Sequence, residues 1–176
     1  MIVGRRTNVK WNVKDLIYLP TNVTRVAWQR GALFDRGADY FFIANNAFPW
    51  NRVPDFVIAR DGYDSFLIAS AIINNVSVID ATATIVAVHQ TDLEGNLAGA
   101  NAAKHNQFNK NLMGKFRYYM VDTTLAPYET ALINKISDNI KTVVVKKRLL
   151  DRKQLIRLET VSIAEPLQNR QHAQNP

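Results

Sequence analysis

Between Asp55 and Gln90 the chain places a turn, an apolar helix and two β-branched strands in unbroken succession, and few folds can accommodate that order. Counting from Tyr63, the residues Phe66, Leu67, Ser70, Ala71 and Asn74 recur at helical spacing and form a mostly apolar face that ends in Asn74-Asn75. Asp61-Gly62 supplies an entry turn, and Phe56 to Ala59 reads as a short buried strand before it. Val76 to Ile79 and Thr84 to Val88 read as strands separated by Asp80-Ala81-Thr82. A helix and strands in this order bury their apolar faces against each other, which predicts an α/β fold: a mixed sheet with flanking helices.

The flanking sequence is read in the same way. Leu16 to Leu19 before Pro20 is a short strand or a helix end, and Thr24 to Leu33 suits a helix that stops near Gly31. Asp39 to Ala44 is aromatic and apolar without alternation, as in a strand buried on both faces. The prolines of Phe48 to Pro54 make a loop. Further on, Thr91 to Gly99 reads as a surface loop, Ala100 to Met113 as a helix, Phe116 to Val121 as a strand and Tyr128 to Ile140 as a helix. The domain is drawn as 1–165, with a basic amphipathic terminal helix within 141–158 and a disordered tail over 166–176.

At 176 residues with 47% hydrophobic content, the chain fits one domain with a sizeable core. No apolar run approaches the roughly 20 residues that span a bilayer. The start of the chain, with Arg5, Arg6 and Lys10, lacks the apolar centre of a secretory signal, so the chain reads as soluble. With no cysteine, disulfides and thiolate metal sites are excluded. The net charge of +7 is concentrated between Lys141 and Arg157, where Lys141, Lys146, Lys147, Arg148, Arg152, Lys153 and Arg157 are opposed by Asp151 alone. That segment motivates one functional reading, a non-catalytic binding module that contacts nucleic acid, an anionic surface or a protein partner. Its cations also suit the solvated face of a docked helix. No phosphate-binding glycine loop, dinucleotide fingerprint, zinc-protease helix or nucleophile elbow occurs in the chain.

The run Ala59-Arg60-Asp61-Gly62-Tyr63-Asp64-Ser65-Phe66-Leu67-Ile68, followed by Val78-Ile79-Asp80-Ala81-Thr82 and Ala87-Val88-His89-Gln90, resembles a group of nucleotide-sugar glycosyltransferase-like proteins of the GT-A type. The pattern expected there is Gly-Arg-x-x-Trp-Asp-Asn-Trp-Leu-Ile, then Val-Ile-Asp-Ala-Thr, then Val-His-Gln. In this chain Ala59, Tyr63, Ser65 and Phe66 stand where that pattern has glycine, tryptophan, asparagine and tryptophan. The resemblance covers about Asp39 to Thr123, roughly half the chain, and implies the acceptor-side, C-terminal portion of such a fold.

What the resemblance implies for chemistry is specific. Asp64 would be the general base that takes the acceptor hydroxyl proton while a sugar leaves its nucleotide diphosphate. From the residues alone, Asp64 is equally an acid favoured by a helix N-terminus, and Asp61 a helix cap. His89 would meet a divalent cation, Mn²⁺ or Mg²⁺, or a phosphate; a lone histidine is otherwise a hydrogen-bonded structural group. The acid pair Asp-x-Asp that would share such a cation does not occur, and Asp92-x-Glu94 is the nearest spacing. Trp50 and Tyr63 are candidates for stacking on the sugar or base, Arg60 for pairing with the diphosphate, and Asp39 for a supporting role. Nucleotide sugar and acceptor would be the partners.

Overall fold

Strand β1 (Ile2–Val9) organises the sheet, because it pairs with four other strands, two on each flank. On one flank it meets β2 (Ala32–Leu33) and β3 (Asp39–Ile43), both antiparallel. On the other it runs parallel to β4 (Ile79–Asp80) at Ile2 and Val3, and to β5 (Ala87–Gln90) from Arg6 to Val9. Beyond β4 lie β6 (Tyr128–Lys135), parallel to it, and β7 (Ile140–Lys147), antiparallel to β6. The result is a seven-stranded mixed open sheet with flanking helices, an α/β fold. The structure is a computed structural model that describes residues 1–11, 20–34, 39–58, 60, 62–91, 103–113, 121–135 and 140–156.

Among the described residues three α-helices attach to this sheet in different ways. Helix α1 (Pro20–Arg30) opens on a proline, which suits a first helical turn, and Gly31 follows it, its N–H donating to the Ala27 carbonyl at 2.9 Å. Its Val26 and Ala27 form a small core with Val9, joined by Trp11, Val86 and Val88. Helix α2 (Tyr63–Ile73) is buried at every position from Phe66 to Ala71, as expected of a helix apolar all round. It sits in the main core with Val3, Phe48, Val78, Val121 and Leu125. Helix α3 (Ala103–Met113) sends Met113 into the same core.

Asn109 of α3, fully buried, holds the chain ahead of α2. Its Oδ1 accepts from the Val57 N–H and its Nδ2 donates to the Val57 carbonyl, each at 2.9 Å, in the manner of a neighbouring strand. Asn109 is thus turned to the interior and not to a solvated face of α3. Phe56 to Ala59, read as a short buried strand, forms no strand where it is described: residues 54–57 run irregularly, and Val57 finds this amide instead of a ladder; Ala59 lies outside the described residues.

Other expectations are corrected. Tyr128 to Lys135 is not helical: its eight residues pair one by one with Ile140 to Lys147. Ala131, Leu132, Ile136 and Ile140 fit a helical period, but the β-branched run Val143-Val144-Val145 offers a ladder that a lone helix could not use. The basic segment 141–158 likewise begins as strand β7, and among its described residues helix occurs at 152–156 alone. Strand β3 is not buried on both faces, since Ile43 is 56% exposed. The two strands after α2 are shorter and later than expected, at Ile79–Asp80 and Ala87–Gln90. The readings at Leu16 to Leu19, at Asp92 to Gly99, across 116–120 and in the 166–176 tail lie outside the described residues.

Arg148, expected among the cations available to a partner, is committed to the fold. Its Nη2 pairs with buried Asp80 Oδ2 at 2.8 Å and its Nε with Glu129 Oε2 at 2.9 Å, while Nη1 donates to the Thr123 carbonyl at 2.6 Å. Asp80 Oδ1 accepts in turn from the N–H and hydroxyl of Thr82. One guanidinium thus ties β4, β6 and the end of β7 together, a use that its planar fork of donors allows and lysine does not.

Candidate functional site

The topology decides where polar chemistry can gather. Helix α2 feeds β4 through the tight turn at Asn74 and Asn75, where Asn75 takes a φ of 55°. Because β4 runs parallel to β1, the start of α2 lies toward the end where those strands finish, the usual ligand side of an open α/β sheet. Asp64 is the second residue of α2. The helix begins at Gly62, which adopts a φ of 96° and makes no side-chain cap. Any Cβ there would also collide with the Met113 sulfur, so α3 closes over the turn that carries Asp64. The capping position expected of Asp61 thus belongs to Gly62; Asp61 itself lies outside the described residues.

Asp64 is half-buried, and desolvation pushes its carboxyl up to about 7 despite the opposing pull of the Arg6 guanidinium. At neutral pH it is therefore divided between acid and carboxylate. Tyr63 beside it meets Phe42 and Phe56 edge to face, with ring centroids 6.4 and 6.0 Å apart, and burial followed by the Asp64 charge raises its phenol. Its ring contacts place it against the core.

The Arg6 charge acts on both Asp64 and His89. The guanidinium lies 4.2 Å from the centre of the Phe34 ring, a cation–π contact that holds the side chain in place. His89, half-buried on β5, is in register with Asn8 of β1, two residues beyond Arg6. Burial first, and then the Arg6 charge, lower the His89 imidazole, so it is neutral at pH 7. Nearby on the same strand, Asn8 Oδ1 is buried without a hydrogen-bond partner among the described residues, the kind of group that water or ligand completes. Arg60, half-buried, sits in the turn just before Gly62.

Of the residues singled out from the sequence, Asp64 and His89 thus both feel the Arg6 charge, and Tyr63 adjoins Asp64 in the first turn of α2. Trp50 does not join them. It is half-exposed in a short turn against Phe48, 4.5 Å between centroids, and Arg52 of that turn donates to Asn74 Oδ1 at 2.7 Å. Asn74 ends α2, so the turn is anchored about 16 Å by helix rise from the end that carries Asp64. Of Asp39 only the backbone, at the start of β3, is described.

Sequence reading missed Arg6 and Asn8. The signal was present: a central strand is ordinarily an apolar run, whereas β1 carries Arg5-Arg6-Thr7-Asn8 between its buried Val3 and Val9. Polar residues in the most heavily paired strand mark a site, but only pairing reveals that the strand is central.

Among the described residues no three His, Cys, Asp or Glu side chains gather to hold a metal. The charged neighbour of His89 is a guanidinium, which repels a cation. Asp92 and Glu94 lie outside the described residues. An open groove of about 550 Å³ runs elsewhere, along α1 at Thr21, Thr24, Arg25, Trp28 and Gln29, and holds none of these groups. No helix among the described residues is long and apolar enough to cross a membrane. Neither a family model, a curated protein nor a solved structure matches the chain.

Proposed function

We propose that the chain is a glycosyltransferase-like protein that moves a sugar from a nucleotide diphosphate to an acceptor hydroxyl, with a fold resembling the C-terminal part of a GT-A domain. The observation that carries this reading is Asp64, a carboxyl pushed up to about 7 by burial at the ligand end of the sheet, within the field of the Arg6 charge. A base with that affinity accepts a hydroxyl proton as the nucleophile attacks and holds it at neutral pH, the match that general-base catalysis rewards. The acceptor oxygen bonds to the sugar carbon while the bond to the diphosphate breaks. Negative charge that develops on the leaving phosphate is met by Arg6, and a neutral His89 imidazole supplies a hydrogen-bond donor.

The test is calorimetric titration with UDP- and GDP-sugars, followed by a turnover assay on Asp64→Asn. Binding retained in the variant, with turnover reduced about 10²-fold or more, is the expected result. A folded chain that binds no nucleotide sugar would refute the reading. The binding-module alternative would then lead, on the exposed cations Lys146, Lys147, Arg152 and Lys153, and nucleic-acid affinity that falls steeply with salt would support it.

A further inference from the structure

We infer that the outer edge of β7 is a docking site for an extended, acidic segment of a protein partner, which adds to the sheet as a further strand. Nothing in this depends on the transferase reading. β7 is the last strand of the sheet, and among the described residues no strand pairs with its outer side. Only Tyr128 and Glu129 of β6 pair with β4, so Thr130 to Lys135 and Ile140 to Val145 continue beyond the sheet as a two-stranded ribbon. Two strands alone are marginal in water, and a third stabilises them.

Register decides which backbone groups are open. The Arg148 N–H donates to the Pro127 carbonyl at 2.9 Å, which makes 127 and 148 a hydrogen-bonded pair that continues the antiparallel ladder. Such pairs alternate along the ladder, so Lys146, Val144 and Thr142 turn their N–H and C=O groups to β6, while those of Lys147, Val145 and Val143 face outward. These last three also share one face of the ribbon. On that face Val145 and Val143 are 56% and 54% exposed, and Leu132, directly opposite Val143, is 47% exposed. An incoming strand therefore finds open peptide groups and an uncovered apolar strip side by side, the two features that strand addition uses.

Charge selects the partner. Glu129 stands opposite Lys146 in the ladder, but its carboxylate is taken by Arg148, and among the described residues no carboxylate pairs with the exposed Lys146 or Lys147. A second copy of β7 is disfavoured, because the antiparallel alignment that sets Val143 against Val145 sets Lys141 against Lys147, and like charges directly opposite repel. Lysines on an edge strand guard against such self-pairing. Nucleic acid would meet the lysines and leave the valine strip uncovered. The complementary occupant has β-branched residues opposite Val143 and Val145 and a carboxylate opposite Lys147.

The probe is a fluorescein-labelled peptide, Glu-Thr-Val-Thr-Val-Thr-Glu, titrated with the full chain and followed by anisotropy; saturable binding is expected. N-methylation of both probe valines removes the N–H groups that meet β7 and should weaken binding about tenfold or more, whereas N-methylation of the central threonine, whose N–H points away, should change it less than about twofold. A probe with lysines in place of its glutamates, and the variant Lys147→Glu, should each bind about fivefold more weakly, while Lys153→Glu, in the helical turn at 152–156, should match the wild type. Val145→Pro removes an outward N–H that the β6 ladder does not use and should weaken binding about tenfold. If that variant fails to unfold cooperatively in urea, the N-methylated probes decide, since they leave the protein unchanged. Equal binding of the two N-methylated probes, equal binding of the acidic and basic probes, or no binding would overturn the inference. So would a dimer of the free chain in sedimentation velocity that Val145→Pro dissolves, or displacement of the probe by a thymidine oligonucleotide.

Discussion

Replacing Asp64 by asparagine should change how stability depends on pH, and the size follows from the site. In the folded chain the carboxyl titrates at about 7, against an ordinary 3.8. Between those values the folded protein holds a proton that the unfolded chain has released, so stability falls as pH rises. The fall is about 1.4 kcal/mol for each pH unit and levels off above the folded value, for a total of about 4 kcal/mol. Asparagine has no proton to lose. Urea unfolding of both proteins at intervals from pH 5 to pH 8 should therefore show curves that diverge by roughly 3 kcal/mol, with the variant gaining relative to wild type toward high pH. His89, lowered by burial, works in the opposite sense, losing stability as pH falls, but it is common to both proteins and cancels to first order. Parallel curves, within about 0.5 kcal/mol, would mean that Asp64 is solvated and ionised, and the argument for a poised base would go with them.

Three further outcomes test the scaffold around the site. Arg148→Met strips the buried Asp80 carboxylate of its counter-charge and should destabilise the chain by about 3–5 kcal/mol in urea, with Arg148→Lys recovering only part; a loss below about 1 kcal/mol would refute the clamp. Gly62→Ala meets both a positive φ and the Met113 sulfur, so a cost above about 1 kcal/mol is expected, and adding Met113→Ala should return only the contact share. Asn109→Leu leaves the Val57 N–H and carbonyl without their partner: hydrogen exchange at the Val57 amide should accelerate, and stability should fall by about 2 kcal/mol or more. Exchange at Val57 no faster than in the wild type would show that the segment does not depend on Asn109.

Local signals read well where a residue's fate depended on its own neighbours. The glycine that ends α1, the apolar run of α2 and the alanines just ahead of α3 each mark a helix close to where it forms, although α1 begins at Pro20 and not at Thr24. Reading failed where an element's identity depended on a distant partner. Tyr128 to Lys135 has a tolerable helical period, and only the facing valines of β7 make it a strand. Two-residue β2 and β4 exist because β1 is beside them, and nothing in Ala32-Leu33 or Ile79-Asp80 alone would announce a strand.

The candidate site divides along the same line. Sequence by itself determined that Asp64 begins a helix after a glycine turn, that His89 sits near a strand end, and that no thiolate site or long apolar span is present. Tertiary structure decided that the Arg6 charge reaches both of those groups, that Trp50 belongs to the other end of α2, and that Arg148 is a clamp and not a contact surface. The reason is physical. Helix propensity and turn chemistry act over a few neighbouring residues, whereas desolvation and charge act through space, between strands that the chain brings together only when it folds.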